Sequence, residues 1–396
     1  MIVTFFSNFL NHHQLSFCLE MGRLLGDKFK FVATARTPQE RLDMGYHDMN
    51  DKFPFVLRTY DDSDGKQMAA SLAMSSDVVV VGAAPEDYVR DRMKKNKLTF
   101  RYSERPFKEG FIRAYSYNNI KYMIRNHTTY NRKKLYLLCA SGYASGDYSM
   151  MGAYANKCYK WGYFTEFISY DVTDLMNKKK HSNIRILWCG RFLKWKHPEY
   201  ALSLAEYLIK MGISFHIDMI GNGVLEDKLI NAINYKGLNN YISVLGSMSP
   251  ENVRRAMETS NIFLFTSDYN EGWGAVLNEA MNSGCAIVAS HAVGSVPFLL
   301  KHNENGLIYR NGNMEDFYGQ VKKLIDNTDF IEKLGKSAYQ TIKNNWNGKC
   351  AADRLLALSD SLISDGKDNN LFEHGPCSKA NNIKQWNMYK HCLKKY

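Results

Sequence analysis

The chain has 396 residues, 45% hydrophobic and 23% charged, with 51 basic and 40 acidic side chains and a formal charge of +11 at pH 7. That length exceeds a single hydrophobic core, so two domains of roughly 150 to 200 residues are expected. The composition is that of a soluble globular chain, and no apolar run nears the roughly 18 to 20 residues of a membrane-spanning helix.

Residues MIVTFFSNFLNHHQ read as a first strand rather than as the basic n-region of a signal peptide, so a cytoplasmic protein is expected. From Met1 to about Phe167, strands are predicted at Ile2 to Phe6, Phe29 to Ala33, Phe53 to Leu57, Val78 to Val81, Leu98 to Tyr102 and Leu135 to Ala140. Helices are predicted between them, at His13 to Leu25, Lys66 to Met74, Glu86 to Lys95, Phe111 to Asn126 and Tyr148 to Lys160. Repeated β-α-β units of this kind imply an α/β, doubly wound sheet. A charged, non-periodic stretch from Tyr170 to Asn183, ending in KKKHSN, reads as an interdomain linker.

Beyond it the alternation resumes. Strands are predicted at Ile184 to Cys189, Phe215 to Ile220, Tyr241 to Leu245, Ile262 to Phe265, Ala286 to Ala289 and Gly306 to Tyr309. Helices are predicted at Pro198 to Met211, Val224 to Tyr235, Pro250 to Glu258, Ala275 to Ser283, Met314 to Asn327, Phe330 to Asn345 and Ala351 to Ile363. The polar segment Ser364 to Asn382 reads as mobile. The expected division is a first domain over 1–170, a linker over 171–183, a second domain over 184–350 and a tail over 351–396.

Eight cysteines include no C-x2-C pair, and Cys139, Cys189 and Cys285 lie in apolar runs as small core residues do. Neither a disulfide framework nor a zinc site is indicated, and the Asn126-His127-Thr128 sequon reads as chance. Basic residues cluster at Lys94 to Lys97, Arg132 to Lys134, Lys178 to Lys180 and Lys390 to Lys395. These suit either an anionic lipid surface or plain solvation. Without aromatic-interleaved basic motifs or a helix-turn-helix pattern, nucleic acid is not an expected partner.

The stretch Ile262 to Ser290 carries the most chemistry. It reads as strand, Gly-containing loop, helix, strand, with Glu271 in the loop and Glu279 in the helix. In parallel sheets ligands settle outside the carboxyl ends of strands. The main-chain amides of Gly272, Trp273, Gly274 and Ala275 suit an anion or sugar hydroxyls. Glu279 suits a diol such as a ribose, and Glu271 suits hydroxyls beyond the phosphates. Upstream, Gly190-Arg191 and Lys196 put a planar fork and a point charge on one loop, which suits a diphosphate. Gly221-Asn222-Gly223 follows a strand, but Glu226 stands where a dinucleotide fingerprint needs its third glycine. Asp62-x-Asp64 reads as a helix-capping loop, His216-x-Asp218 as structural, and no metal site is expected.

NEGWGAVLNEAMNSGCAIVAS resembles the E-x7-E donor motif of retaining GT-B glycosyltransferases of family 4, with its EAM-x-x-G continuation. The likeness extends through GRFLKWK at Gly190 to Lys196, IGNG at Ile220 to Gly223, VLGSM at Val244 to Met248, Gly294, and NENGLIY at Asn303 to Tyr309. It covers about Ile184 to Trp346. The first half looks most like an uncharacterised bacterial branch whose chains begin with S-N-x-x-N-H-H-Q, here Ser7 to Gln14.

This resemblance implies two Rossmann-like domains facing a central cleft, with nucleotide diphosphate sugar as donor and no cofactor or metal. Catalytic roles then fall to Glu271, Arg191 and Lys196. Donor binding falls to Glu279, the amides of Gly272 to Ala275, Gly190, Gly221, Gly223, Gly246, Ser247 and Met248. A terminal helix crossing back to the first domain is usual in that fold, and Ala351 to Ile363 suits it. The first βα loop departs from the family's glycine pair, carrying Asn8, Asn11, His12, His13 and Gln14. Either histidine suits a general base in an inverting reaction, or Asn11 caps a helix and the histidines are surface. Glu104 suits the acceptor or an ion pair with Arg105, and Trp161 to Phe164 suit either the cleft or the core.

The function implied is retaining transfer of a sugar to a glycan or lipid-linked glycan in bacterial capsule, O-antigen or exopolysaccharide synthesis. It would take place in the cytoplasm, at the inner face of the plasma membrane where the acceptor is lipid-linked. The alternatives are a nucleotide-sugar epimerase on the same fold and a non-catalytic nucleotide-sugar-binding subunit.

Overall fold

The computed structural model describes residues 1–43, 47–108, 110, 115–364, 366, 368, 370–383 and 388–393. The chain forms two compact α/β units, Met1–Glu166 with Asn345–Gln385, and Phe167–Asn344 with Trp386–Tyr396.

In the first unit the strands are β1 (Val3–Ser7), β2 (Phe29–Ala33), β3 (Val56–Arg58), β4 (Val78–Val81), β5 (Thr99–Ser103), β6 (Leu135–Cys139) and β7 (Cys158–Lys160). They form one parallel sheet in the order β3-β2-β1-β4-β5-β6-β7. The connecting helices are α1 (His12–Leu25), α2 (Gln39–Asp43), α3 (Ser63–Ser75), α4 (Asp87–Lys94), α5 (Tyr117–Asn126) and α6 (Ala144–Met150).

The second unit opens with α7 (Val172–Asn177). Its sheet has the order β10-β9-β8-β11-β12-β13, all parallel, from β8 (Ile184–Cys189), β9 (Phe215–Ile220), β10 (Ile242–Val244), β11 (Ile262–Phe265), β12 (Ala286–Ser290) and β13 (Leu307–Tyr309). Helices α8 (Glu199–Lys210), α9 (Glu226–Tyr235), α10 (Pro250–Thr259), α11 (Val276–Asn282), α12 (Val296–Leu299), α13 (Met314–Ile325) and α14 (Thr328–Asn344) connect and cover the strands. Helix α15 (Gly348–Ser364) then belongs to the first unit and α16 (Met388–Leu393) to the second.

Covered on both faces, the central strands must be apolar throughout. The VVVV of β4 and the IFLF of β11 are fully buried. Five strands, at 29–33, 78–81, 184–189, 215–220 and 262–265, begin and end where the apolar runs do.

The differences have local causes. The helix expected from Tyr148 to Lys160 stops at Met150, because Gly152, Tyr154 and Asn156 take positive φ (67°, 57° and 57°) and turn the chain into the edge strand β7. The predicted linker is instead part of the second unit. Leu175 and Met176 of α7 are buried against Tyr339 of α14 and against Gly284, whose added Cβ would stand 2.6 Å from the Met176 Cε. That close approach accounts for the glycine of EAM-x-x-G. The strand expected at Phe53 to Leu57 forms only over β3, with Phe53 and Phe55 stacked ahead of it (5.3 Å). Of the helix predicted from Phe111, residues 111–114 lie outside the described residues, and α5 begins at Tyr117.

The segment expected to be mobile is docked over 376–380. Cys377 N donates to Lys160 O (2.8 Å), Lys160 N to Ser378 O (2.7 Å), and Ala380 N to Cys158 O (3.0 Å), with Tyr159 bridged antiparallel to Lys379. An edge strand's unpaired amides and carbonyls are a template for such pairing. Cys377 and Ser378 are buried there, and Tyr159 Oη donates to Asp368 Oδ2 (2.8 Å).

Candidate active site

The order of the second sheet reverses between β8 and β11, and the loops leaving those two strands diverge at a topological switch point, where open α/β sheets bind ligands. These loops hold the residues marked in the sequence. They are tied together by Asp268 N donating to Trp195 O (2.9 Å), and by Thr266 Oγ1 donating to Lys196 O (2.6 Å) while accepting from Trp188 Nε1 (2.8 Å).

Across this junction Lys196 Nζ meets Glu271 Oε2 at 2.6 Å, and the same carboxylate accepts from Ser267 Oγ (3.0 Å). Both side chains are largely withdrawn from water, at 14% and 10% exposure, so the pair is weakly screened. The Lys196 ammonium also lies over the Trp195 ring, 4.4 Å from its centroid. Arg191 stands exposed earlier on the same loop.

Glu279 sits one turn into α11, half-buried. Burial pushes its carboxyl up, and the Arg254 guanidinium pulls the other way. Arg254 reaches over from α10 to donate to Glu279 O (2.9 Å) and Asn282 Oδ1 (3.2 Å). Burial raises the pKa of Cys189, at the end of β8, with Glu279 adding to the rise and Lys196 acting against it. Among the described residues, no acceptor takes the amide hydrogens of Gly272, Gly274 or Ala275. The Trp273 side chain is core: it is fully buried, and its Nε1 donates to Asn278 Oδ1 (2.9 Å). Gly274 has φ +81°, and a Cβ there would stand 2.2 Å from the Phe265 ring.

Of the other marked glycines, Gly221 and Gly223 are explained by crowding of the neighbouring loops, and Gly246 by its φ of +69°. A Cβ on Gly221 (φ +137°) would lie 2.0 Å from Gly190 O, and one on Gly223 2.8 Å from Phe192 N. Gly221 N donates to Gly246 O (2.8 Å), bringing up the loop with Ser247 and Met248. Thus the carboxyl edge gathers Lys196, Glu271, Glu279 and the turns at 190, 221–223 and 246–248.

Several contributors carried no motif. Ser267 and Thr266 are visible in the sequence only as a hydroxyl doublet ending a buried strand. His197, in the left-handed region at φ 50°, lies between Glu199 Oε1 (2.8 Å from Nδ1) and Asp268 Oδ2 (3.5 Å from Nε2). Hydrogen bonds to Asp268 and Glu199 raise its pKa to about 9. Because the folded value exceeds the unfolded one, this contribution is complete below about pH 6.5 and is lost as pH rises through about 9. His197→Gln is therefore expected to lower Tm by about 1 to 4 °C at pH 6, and by much less at pH 10, in parallel calorimetric scans.

His291 was also missed. Its Nδ1 accepts from Asn311 N (2.9 Å), leaving Nε2 as the donor to Tyr269 Oη (3.0 Å) on the loop after β11. Tyr389 of α16 packs edge-on against the His291 ring (5.3 Å) and donates to Asp316 Oδ2 (2.9 Å).

The first unit reverses between β1 and β4, and its marked residues lie past β1 and β5. Asn11 caps α1, accepting from His13 N (3.0 Å). The His12 and His13 rings lie 3.7 Å apart, and His13 stacks on Tyr163 (4.7 Å, 8°). Burial lowers the His12 pKa to about 4, with Arg41 adding to it, and lowers that of His13 as well. Both rings are neutral at pH 7 and are weak bases. Glu104 accepts from Tyr163 Oη (2.5 Å) and Lys108 Nζ (2.8 Å).

The alternative ion pair with Arg105 does not form. Arg105 instead makes a bidentate pair with Asp147 of α6 (3.1 and 3.0 Å), whose carboxylate also accepts from Phe107 N. Trp161 and Phe164 are core, packed on Phe17. Asp62 caps α3, accepting from Gly65 N (2.7 Å), and His216 meets Ser243 Oγ (2.9 Å) across β9 and β10. Asn126 of the sequon is only 4% exposed. Among the described residues, no three His, Cys, Asp or Glu side chains gather as a metal site, and no helix is long and apolar enough to cross a membrane.

Residues 174–341 match the family model for glycosyl transferases group 1, a segment that includes both loops of the Lys196–Glu271 pair. The chain is 28% identical over 189 residues to an uncharacterized glycosyltransferase of Methanocaldococcus jannaschii, covering 47% of this chain and 48% of that one. It is 26% identical over 187 residues to the amylovoran biosynthesis glycosyltransferase of Erwinia amylovora, covering 46% of each. The chain spans about half the length of these curated relatives. Over nearly its whole length it is similar in structure to Anabaena HepE in complex with UDP, with a TM-score of 0.66 at 15% identity, covering 92% of this chain and 100% of that one. The same Anabaena protein in complex with UDP-glucose gives a TM-score of 0.61 at 15% identity, covering 91% and 99%. With two parallel-sheet units of this order and these neighbours, the chain has the GT-B fold, and residues 174–341 within it match the group 1 glycosyl transferases.

Proposed function

We propose that this protein is a glycosyltransferase that takes a sugar from a nucleotide diphosphate sugar, with retention of configuration and without a metal. The acceptor is a glycan or lipid-linked glycan of a bacterial capsule, O-antigen or exopolysaccharide, and the enzyme works at the cytoplasmic face of the membrane. The observation that carries this reading is the Lys196–Glu271 pair, which joins two loops 75 residues apart beside Glu279 and the amides of Gly272, Gly274 and Ala275.

In this reading Glu279 takes the ribose diol, Lys196 and Arg191 the diphosphate, and Glu271 the sugar hydroxyls. As the glycosidic bond breaks, negative charge grows on the diphosphate. Preorganised cations facing that charge lower the barrier by roughly 3 to 4 kcal/mol. The departing phosphate oxygen takes the acceptor proton on the same face of the sugar, so no separate base is required, in keeping with the low basicity of His12 and His13. The acceptor side is assigned to the first unit, at His12, His13 and Glu104.

The test is thermal stability of the purified chain against a panel of nucleotide sugars. A donor at about 100 times its Kd adds about 2.7 kcal/mol, which corresponds to roughly 5 to 10 °C for a unit of this size. No shift with any nucleotide sugar overturns the reading. Release of free epimerised sugar nucleotide would favour an epimerase, and a shift without any donor hydrolysis would favour a binding subunit.

A further inference from the structure

The loop after β11 carries Glu271 and the amides of Gly272, Gly274 and Ala275, and it is held from two sides. Toward β8 it is tied at Asp268 and Glu271, through Trp195 O and Lys196 Nζ. Toward β12 it is tied by Tyr269 Oη, which accepts from His291 Nε2 (3.0 Å), and by Glu271 O, which accepts from Gly294 N (3.3 Å). Both ties on that side come from the short turn 291–294.

The turn is itself well fastened. His291 N donates to Tyr309 O (3.0 Å), its Nδ1 accepts from Asn311 N (2.9 Å), and Val293 N donates to Ser290 O (3.2 Å). His291 is 4% exposed, and burial lowers its pKa to about 4, so the ring keeps this tautomer at neutral pH.

What covers the turn comes from far along the chain. Helix α16 packs on α12, which starts two residues beyond Gly294. Tyr389 of α16 meets the His291 ring edge-on (5.3 Å, 72°), and Tyr269 meets the same ring edge-on (5.8 Å, 88°). Tyr389 is fixed in turn by donating from Oη to Asp316 Oδ2 (2.9 Å), which also accepts from Arg310 N (2.7 Å). A residue near the end of the chain therefore presses on the histidine that orients Tyr269.

We propose that Tyr389 is a positioning residue for the donor site: through His291 and Tyr269 it fixes the loop after β11 in the form that meets the donor, which makes α16 a control point for donor binding. Gly272 and Gly274 leave that loop many accessible backbone forms, and ordering them on binding costs affinity. Ties made before the donor arrives remove that cost. The role of the loop rests on the donor-site reading above; its coupling to α16 does not.

The experiment is hydrogen exchange of the full chain without ligand, read in peptides spanning 266–275. Donor KM and kcat are measured alongside, with the nucleotide sugar that gives the largest thermal shift. Tyr389→Ala and Tyr269→Phe should each speed exchange in these peptides by about fivefold or more. Each should also raise donor KM about fivefold, with kcat and acceptor KM within about twofold of the wild type. Tyr389→Phe keeps the ring against His291 and should recover most of the loss. The inference is overturned if exchange at 266–275 is unchanged in Tyr389→Ala, or if that variant lowers Tm while donor KM stays the same. No thermal shift of the wild-type chain with any nucleotide sugar overturns the donor reading itself, whereas faster exchange with unchanged donor KM overturns only the positioning role.

Discussion

Lys196→Met and Glu271→Gln are each expected to reduce sugar transfer by about 10²- to 10³-fold at saturating donor, or roughly 2.7 to 4 kcal/mol of barrier. The two side chains form one unit at the switch point, sharing a 2.6 Å contact in a poorly solvated place. Lys196→Met removes the cation proposed to face the diphosphate and also strips Glu271 of it, leaving the Ser267 hydroxyl as the carboxylate's remaining partner among the described residues. Glu271→Gln keeps both neighbours in hydrogen-bonding reach but removes the charge. Groups that act together are not additive, so the double variant should lose little more than the worse single one. Lys196→Arg should recover part of the loss, since a cation returns with different geometry. Steady-state transfer rates, with the donor-induced thermal shift measured in parallel, separate lost chemistry from lost binding. Near-normal turnover in both single variants would remove the site.

The largest stability effect is expected in the first unit, at Asp147→Ala. Arg105 and Asp147 are 1% and 3% exposed, and the carboxylate takes two guanidinium hydrogen bonds and one main-chain amide. Burial raises the Asp147 pKa, with Arg105 acting against it, so the carboxylate depends on the guanidinium to remain charged. Removing one partner strands a buried cation at a cost of about 3 to 5 kcal/mol. For a unit of roughly 200 residues that means a Tm lower by about 6 to 20 °C. Replacing both, as Arg105→Met with Asp147→Leu, should restore most of it, because two apolar side chains leave no charge unpaired. Calorimetry of the three variants decides this. A loss below about 1 kcal/mol in Asp147→Ala would mean that the pair is hydrated after all.

What the sequence disclosed follows from where strong local signals exist. Strands buried on both faces have no polar positions to confuse their limits, which is why β4 and β11 were legible to the residue. Edge elements lack that signal. The three-residue β7 has Tyr159 and a lysine, and it is defined by its neighbours β6 and residues 376–380 rather than by its own apolarity. The same pairing docks residues 376–380 of the polar segment expected to be mobile. At α7, two apolar residues among charged ones were too few to announce a packed helix, yet Gly284 leaves them a close-fitting seat.

The candidate site divides in the same manner. Glu271, Glu279 and Lys196 were marked by an ordered set of motifs resembling a known family; of them Lys196 and Glu271 meet across the ends of β8 and β11, and Glu279 lies one turn into α11. Ser267, Thr266, His197 and His291 act across loops distant in sequence, and single polar residues of that kind carry no periodicity. Glu104 was read as an acceptor contact or as the partner of its neighbour Arg105, whereas Arg105 reaches 42 residues along the chain to Asp147.

Residues 345–385 join the first unit and 386–396 return to the second, so neither unit is one uninterrupted length of polypeptide. Exchange of halves between relatives by a single genetic crossover would therefore part the tail from the sheet margin at β7 and from the His291 and Asp316 side chains that Tyr389 meets. Successful hybrids in this group should inherit the terminal fifty or so residues from two parents, with junctions near 166, 344 and 385.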